Sequence, residues 1–236
     1  MYKLQKKMLM GGGRKTVVSY TNRIKNLFST HLKFYWIANE LLGTTAVDST
    51  TNGNDGTYTA VTLGQPGIGD GNTSMLNGTD GAIAAPVSLR TVPAWNTSWG
   101  VGCYVKFANT TAPQYILAIF NHAFDQYIKF GVNVEGANNL ECEYSWSNFG
   151  LQSVAFTSTT WNQIIITYNS VANTIICYLN GMAIITLTSV GTFTTDTVFY
   201  PYFVNSTSGR AIQGNVEHMF GVDRVITPAE ALACFF

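Results

Sequence analysis

Glu141 and Glu143 stand two residues apart in a run that alternates apolar and polar side chains, so both carboxylates fall on one face of a strand. Carboxyl pairs cleave glycosidic bonds at separations of about 5–5.5 Å with retention, or about 6.5–9.5 Å with inversion. A polar strand face turned to solvent is the commoner use of such residues and the preferred reading here. Tyr200 and Tyr202 lie in a run from Val198 to Val204 that also holds Phe199 and Phe203. One core face cannot absorb four aromatics, so the surplus is available to stack on a sugar or meet a partner. Packing against an N-terminal helix is the rival use. Glu141, Glu143, Tyr200 and Tyr202 form the candidate ligand-binding set.

Other chemistry is thinner. Asp48, Asn54 and Asp55 share one loop and Asp80 sits in the next, and calcium takes six to eight such oxygens. The same residue types stabilise turns, which is the preferred reading, so calcium is a candidate ligand and no cofactor is required. His31, His122 and His218 are scattered over a helix end, a loop and a strand. Gly67 to Gly71 is glycine-rich but lacks the lysine of a phosphate-binding loop, and reads as a plain loop. Cys103, Cys142, Cys177 and Cys234 show no zinc spacing and read as buried free thiols of a chain folded in a reducing cytosol. No catalytic residue is assigned.

The formal charge is zero, yet it is divided unevenly. Residues 1–33 hold eight of the 13 basic groups and no acid, leaving five basic groups against all 13 acids in the remainder. Lys3, Lys6, Lys7, Arg14 and Lys15 lie in an arm, residues 1–15, jointed by Gly11 to Gly13. With Arg23 and Lys25 they are the candidate anchoring residues, docking the chain onto copies of itself or other members of an assembly. Nucleic acid is disfavoured, because the rest of the chain is acidic and carries no recognition motif. The start is a poor secretion signal, and no apolar run is long enough for a membrane helix.

Residues 16–33 space Val17, Tyr20, Ile24, Leu27, Phe28 and Leu32 as on one amphipathic helix, expected to plug an end of the body. From residue 34 to 236 the texture is that of strands, rich in Thr, Asn and alternating apolar residues, and over the whole chain 11% charged residues against 46% hydrophobic rule out disorder. Trp99, Val101, Cys103, Val105 and Phe107 share one face, as do Leu140, Cys142, Tyr144 and Trp146, with Glu141, Glu143 and Ser145 facing out. Further strands are expected at Trp161–Tyr168, Thr174–Leu179, Ala183–Leu187 and Val198–Val204. Asn180-Gly181 marks a tight hairpin, and Thr227, Pro228 and Glu230 mark a helix start. The expected fold is all-β: a two-sheet antiparallel jelly-roll sandwich behind a basic arm and a short helix.

Four ordered pieces resemble LamG-like, concanavalin A-like jelly-roll domains. They are Tyr35-Trp36 with Glu40–Ser49 and Asn52–Tyr58; Ala94–Phe107; Trp161–Tyr168 with Ile176–Gly181; and Gln213–Glu217 with Arg224–Glu230. Glu217 stands where the family most often has Asp, and the loop from Asn77 to Gly81 lacks the aromatic that commonly follows its Asp. Hydrolases of the family carry a Glu-x-Asp run with a further Glu, whereas Glu141-Cys-Glu143 has no such Asp or third acid. The resemblance implies binding of glycans or other surfaces. By architecture it also implies a bacteriophage virion protein, a capsid decoration or tail component assembled in the host cytoplasm, with a host-surface glycan as ligand. A glycoside hydrolase and a secreted bacterial adhesin of the same fold are the alternatives.

Overall fold

The computed structural model describes residues 19–86, 97–120, 127–133, 138–145, 149–191, 200–203 and 211–235. The chain opens with helix α1 (Tyr20–Phe28), whose first turn is capped by the Ser19 hydroxyl accepting from Asn22 N. Ser29, at φ 44°, ends it, and a 3-10 turn (Ser29–His31) leads directly into β1 (Leu32–Trp36). The helix is therefore shorter than the 16–33 pattern suggested, because Leu32 belongs to a strand. Residues 1–18 lie outside the described residues.

Two layers of antiparallel strands follow. The first holds β5 (Ser98–Phe107), β10 (Trp161–Asn169), β11 (Thr174–Leu179), β12 (Met182–Thr188) and β14 (Gly214–Val222), with β1 beside β14. The second holds β6 (Gln114–Phe120), β7 (Tyr127–Val132), β8 (Asn139–Ser145), β9 (Phe149–Ala155) and β13 (Tyr200–Phe203). A short β2 (Thr45–Ala46) leans on β3 (Gly56–Pro66), which pairs with β4 (Thr73–Ala84). β4 links the layers: Met75–Asn77 pair with β14, while Ile83 and Ala84 pair with β13. Between those stretches the β3–β4 register breaks at Ala60, in the left-handed region at φ 50°, and the pair turns from one layer to the other.

The sandwich core lies between the layers. Trp99, Val101, Cys103, Val105 and Phe107 meet Ile128, Phe130, Leu140, Cys142 and Tyr144 there, all as the alternation predicts. Trp146 and the ends of the Val198–Val204 run fall outside the described residues. All four cysteines are free and buried. Asn180 and Gly181 take φ of 51° and 79° in the β11–β12 turn. Helix α2 (Pro228–Cys234) begins with the expected reciprocal cap between Thr227 and Glu230. Arg224 grips both Glu230 oxygens at 2.6 and 2.9 Å, which holds that carboxyl down at about 2.

One expectation fails. Over β5, β10 and β14 the outer side of the first layer is not solvated but is a second core beneath α1 and α2, while β12 at its edge keeps Thr186 and Thr188 exposed. Tyr20, Ile24, Phe28, Ala231 and Cys234 pack there on Tyr35, Tyr104, Ile165, Tyr178 and Phe220. The helix thus covers a sheet face rather than plugging an end. A nine-residue helix is marginal alone, so burial worth about 1.5–3 kcal/mol for each large apolar side chain is what holds it. Close approach explains the glycines of β5: a Cβ at Gly102 would lie 2.6 Å from Phe220 and 2.9 Å from Ile165. Among the described residues no helix is long and apolar enough to cross a membrane.

Gly102→Ala should therefore cost about 1–3 kcal/mol of stability through overpacking. Urea unfolding reads this as a lower midpoint, and an unchanged midpoint would show that the outer core tolerates the extra methyl.

Candidate functional site

On β7, Ile128, Phe130 and Val132 point into the sandwich core, which sends Tyr127 and Lys129 to the other side. On β8 the same alternation sends out Glu141 and Glu143. Registration then aligns them: Lys129 stands opposite Glu143 and Gly131 opposite Glu141. The row continues from Lys129 to Ala118 of β6 and Tyr202 of β13, and the neighbouring row joins Tyr127, Phe120 and Tyr200. The fold thus brings all four candidate ligand residues into one sheet. The side chains of Tyr200 and Tyr202 lie outside the described residues.

The face differs from the solvated one expected. Glu141 is only 2% exposed and Glu143 only 8%, because alternation fixes which face a residue occupies but not what covers it. The Tyr127 hydroxyl donates to Glu143 Oε1 at 2.5 Å, and Lys129 Nζ sits 3.9 Å from the Tyr127 ring centre and 5.4 Å from that of Tyr115. Tyr127 and Lys129 are half-buried. The Tyr127 ring thus carries the Lys129 ammonium over it and has its hydroxyl tied to Glu143, a surface that combines aromatic carbon with a charged donor.

A second constellation escaped the sequence reading. In β14 the register with β5 shifts between Glu217 and Phe220, and His218 takes a left-handed φ of 54°. This bulge turns two consecutive residues, Glu217 and His218, toward the same partner. That partner is Asp70, from the loop read as plain glycine-rich chain. His218 Nε2 lies 2.8 Å from Asp70 Oδ2 and 3.2 Å from Glu217 Oε1, while Nδ1 lies 2.6 Å from the Tyr35 hydroxyl. Asn72 donates twice to Asp70, and Ile68 N donates to Glu217 Oε2. The chain passes so close that a Cβ at Gly67 would strike the Glu217 carboxylate and Asn72 O. Tyr20 closes the top, its ring centre 4.5 Å from that of His218. An acid next to a histidine in a strand was the available signal, and it has meaning only where a bulge interrupts the alternation.

Electrostatics set the protonation. Burial would lower the His218 pKa, but the hydrogen bond to Asp70, the Glu217 carboxylate 3.2 Å away and the charges of both outweigh it and raise it above 6.5. Burial also pushes on Asp70, yet the His218 and Asn72 hydrogen bonds bring that carboxyl down to about 2. Glu217 is raised above 4.5, burial dominating over the pull of His218.

The remaining candidates are placed as follows. Asp48 uses both oxygens on the chain itself: Oδ1 accepts from Tyr35 N and Thr50 N, and Oδ2 from Thr50 Oγ1 and Asn54 N. Asp55 Oδ1 accepts from Asp48 N, and Asn54 Nδ2 donates to Lys33 O. These three residues therefore build a turn that clamps β1. The Asp80 side chain lies outside the described residues. Of the basic candidates, Arg23 reaches the Phe235 carbonyl at 3.3 Å, and Lys25 lines a cleft of about 450 Å³ with Ser29, Thr50 and Asn52. Lys3, Lys6, Lys7, Arg14 and Lys15 lie outside the described residues.

No protein-family model and no curated protein matches the sequence. Solved structures do match the fold. Domain 4 of AbnA, a GH43 extracellular arabinanase from Geobacillus stearothermophilus solved in complex with arabinotriose, superposes with a TM-score of 0.68 at 15% identity, covering 87% of this chain and 98% of that domain. Trypanosoma rangeli sialidase, solved in complex with sialic acid, gives 0.66 at 10% identity, over 90% of this chain but 36% of the sialidase. The binding domain of Paraclostridial Mosquitocidal Protein 1 gives 0.60 at 13% identity, over 86% of this chain and 51% of that one. The chain is thus similar to a whole domain of the first and to about a third and a half of the other two. At these identities the likeness establishes the β-sandwich fold.

The His218 cluster makes stability depend on pH with a definite sign. A raised histidine pKa stabilises the fold below pH 6.5, and that contribution is lost as pH climbs through the raised value. Glu217 acts in the same sense from 4.5 upward, whereas Asp70 stabilises above 3.8 and loses that contribution as pH falls toward about 2. Melting midpoints measured in chelator should fall as pH climbs above 6.5 in the wild type and fall much less in His218→Asn. Equal slopes would contradict the assignment.

Proposed function

We propose that this chain is a carbohydrate-binding β-sandwich module that acts without catalysis, and that it takes its glycan on the outer face of the second layer. The observation that carries this is the Tyr127–Lys129–Glu143 unit. Tyr127 and Lys129 are half-buried on a sheet face, and the Glu143 carboxylate holds the Tyr127 hydroxyl. A sugar ring presents an apolar C–H side and a rim of hydroxyls, which suit an aromatic face beside a charged donor. Glu143, too buried to meet a ligand broadly, acts by positioning the Tyr127 hydroxyl. The reading is supported by the company of the fold, since one structural neighbour is a domain solved with arabinotriose and another is named a binding domain.

The finer reading places this module in a larger assembly, a bacteriophage virion, with Lys3, Lys6, Lys7, Arg14 and Lys15 as its anchor and a host-surface glycan as its target. Its support is the division of charge along the sequence, a basic arm before an acidic body. Removal of residues 2–15 should release the protein from purified particles while leaving glycan binding intact.

Binding is tested with immobilised oligosaccharides, arabinotriose among the first, followed by titration calorimetry. Tyr127→Ala and Lys129→Ala should each weaken binding by roughly tenfold or more, the loss of one charge-assisted contact or ring face. Glu143→Gln should weaken it less. Binding unaffected by all three would overturn the placement, and release of reducing sugar by the wild type would overturn the non-catalytic reading.

A further inference from the structure

Beneath α1, the Asp70–Glu217–His218 cluster has more acceptors than protons. His218 Nε2 can carry one hydrogen and faces two carboxylate oxygens, Asp70 Oδ2 at 2.8 Å and Glu217 Oε1 at 3.2 Å. Asp70 takes the hydrogen bond. Glu217 Oε1, on a residue with no exposed surface, is left without a hydrogen-bond partner among the described residues and points at the same spot. Among the described residues no lysine or arginine pairs with either carboxylate. A buried carboxylate oxygen without a donor is costly, and a single shared proton cannot satisfy both acids.

We propose that this cluster is a binding site for a divalent transition-metal ion of the zinc type, with Asp70 Oδ2, Glu217 Oε1 and His218 Nε2 as its ligands. The three donor atoms lie within 4.8 Å of one another. Bonds of about 2.0–2.2 Å to nitrogen and carboxylate oxygen put tetrahedral donors about 3.3–3.6 Å apart, so the 3.2 Å pair is close to that spacing and the 2.8 Å pair has to open by about half an ångström. Imidazole with two carboxylates selects zinc, manganese, iron or cobalt over calcium, which prefers an all-oxygen shell. The outer contacts are those a metal-bound histidine needs. With Nε2 on the ion, Nδ1 keeps its hydrogen and donates to the Tyr35 hydroxyl, fixing tautomer and ring plane. Glu217 is steadied through its other oxygen by Ile68 N, and Asp70 by Asn72.

The backbone is built for the same purpose. His218 holds a left-handed φ that costs a non-glycine residue strain, and the bulge containing it is what lets Glu217 and His218 chelate from adjacent positions. Gly67 leaves room for the Glu217 carboxylate. An ion there ties the Gly67–Asn72 loop to β14, releases the Nε2 proton to solvent and leaves one coordination position for water. This site lies on the first layer, apart from the glycan face of the second, and does not depend on it.

The test uses the full chain, stripped with chelator and titrated with Zn2+ by calorimetry and with Co2+ by visible absorption. One ion per chain is expected, with a rise in melting midpoint and d–d bands of a low-coordinate nitrogen–oxygen site. Asp70→Asn, on a surface loop, should weaken Zn2+ binding by about 100-fold or more. His31→Ala removes the other described histidine paired with an acid, Asp223, and should leave binding unchanged. Absence of binding by the wild type, or binding lost in His31→Ala and kept in Asp70→Asn, would overturn the proposal. Should Asp70→Asn fail to fold, the wild-type stoichiometry and the Co2+ spectrum decide alone: no absorption bands and no change in melting would refute it.

Discussion

The middle of the first layer is buried on both sides, and the molecule is arranged around that constraint. β5, β10 and β14 press one face into the sandwich and the other against two short helices. Neither helix is long enough to be stable alone, so each exists by what it covers. Tyr20, Ile24 and Phe28 of α1 are spaced by four and share one core, in which Tyr20 meets Tyr104 and Phe28 stacks on Phe220. The tolerance is small. Gly100 and Gly102 in β5 are where Ile226 and Phe220 come closest, and Gly221 in β14 lies under Phe34.

Covering a sheet in this way buries polar groups that an ordinary outer face would leave in water. His218, Glu217 and Gln163 all lie under the helices or the loop beside them, with no exposed surface. A buried imidazole between two acids is tolerable only with directed partners, and the Gly67–Asn72 loop supplies them. The constraint also sets the two layers apart. With the middle of the first layer covered, Tyr127 and Lys129 of the second layer stay half-buried, with no helix over them among the described residues.

How much of this the sequence revealed follows from how local each feature is. The strand from Trp99 to Phe107, the Asn180-Gly181 turn and the Thr227–Glu230 cap are determined by residues within a few positions, and each is found as expected. The helix ran too far in the sequence reading because a pattern of apolar residues does not register Ser29 adopting positive φ. Glu141 and Glu143 were placed on the correct side of β8 but assigned to solvent, since periodicity carries no information on cover. Asp70 and His218 are 148 positions apart, and their meeting depends on a bulge and a loop that no spacing rule encodes. Resemblance to LamG-like domains anticipated the sandwich, and the structural neighbours agree with it at the level of fold.

The central proposal, that a glycan binds on the outer face of the second layer, is tested most directly by amide hydrogen exchange. The protein would be compared free and saturated with an oligosaccharide that it binds. Protection on binding should concentrate in residues 127–133 and 139–145, with β5, β10, β14 and α1 unchanged. Protection confined to α1, or to the Asp48–Asp55 turn, would contradict the account.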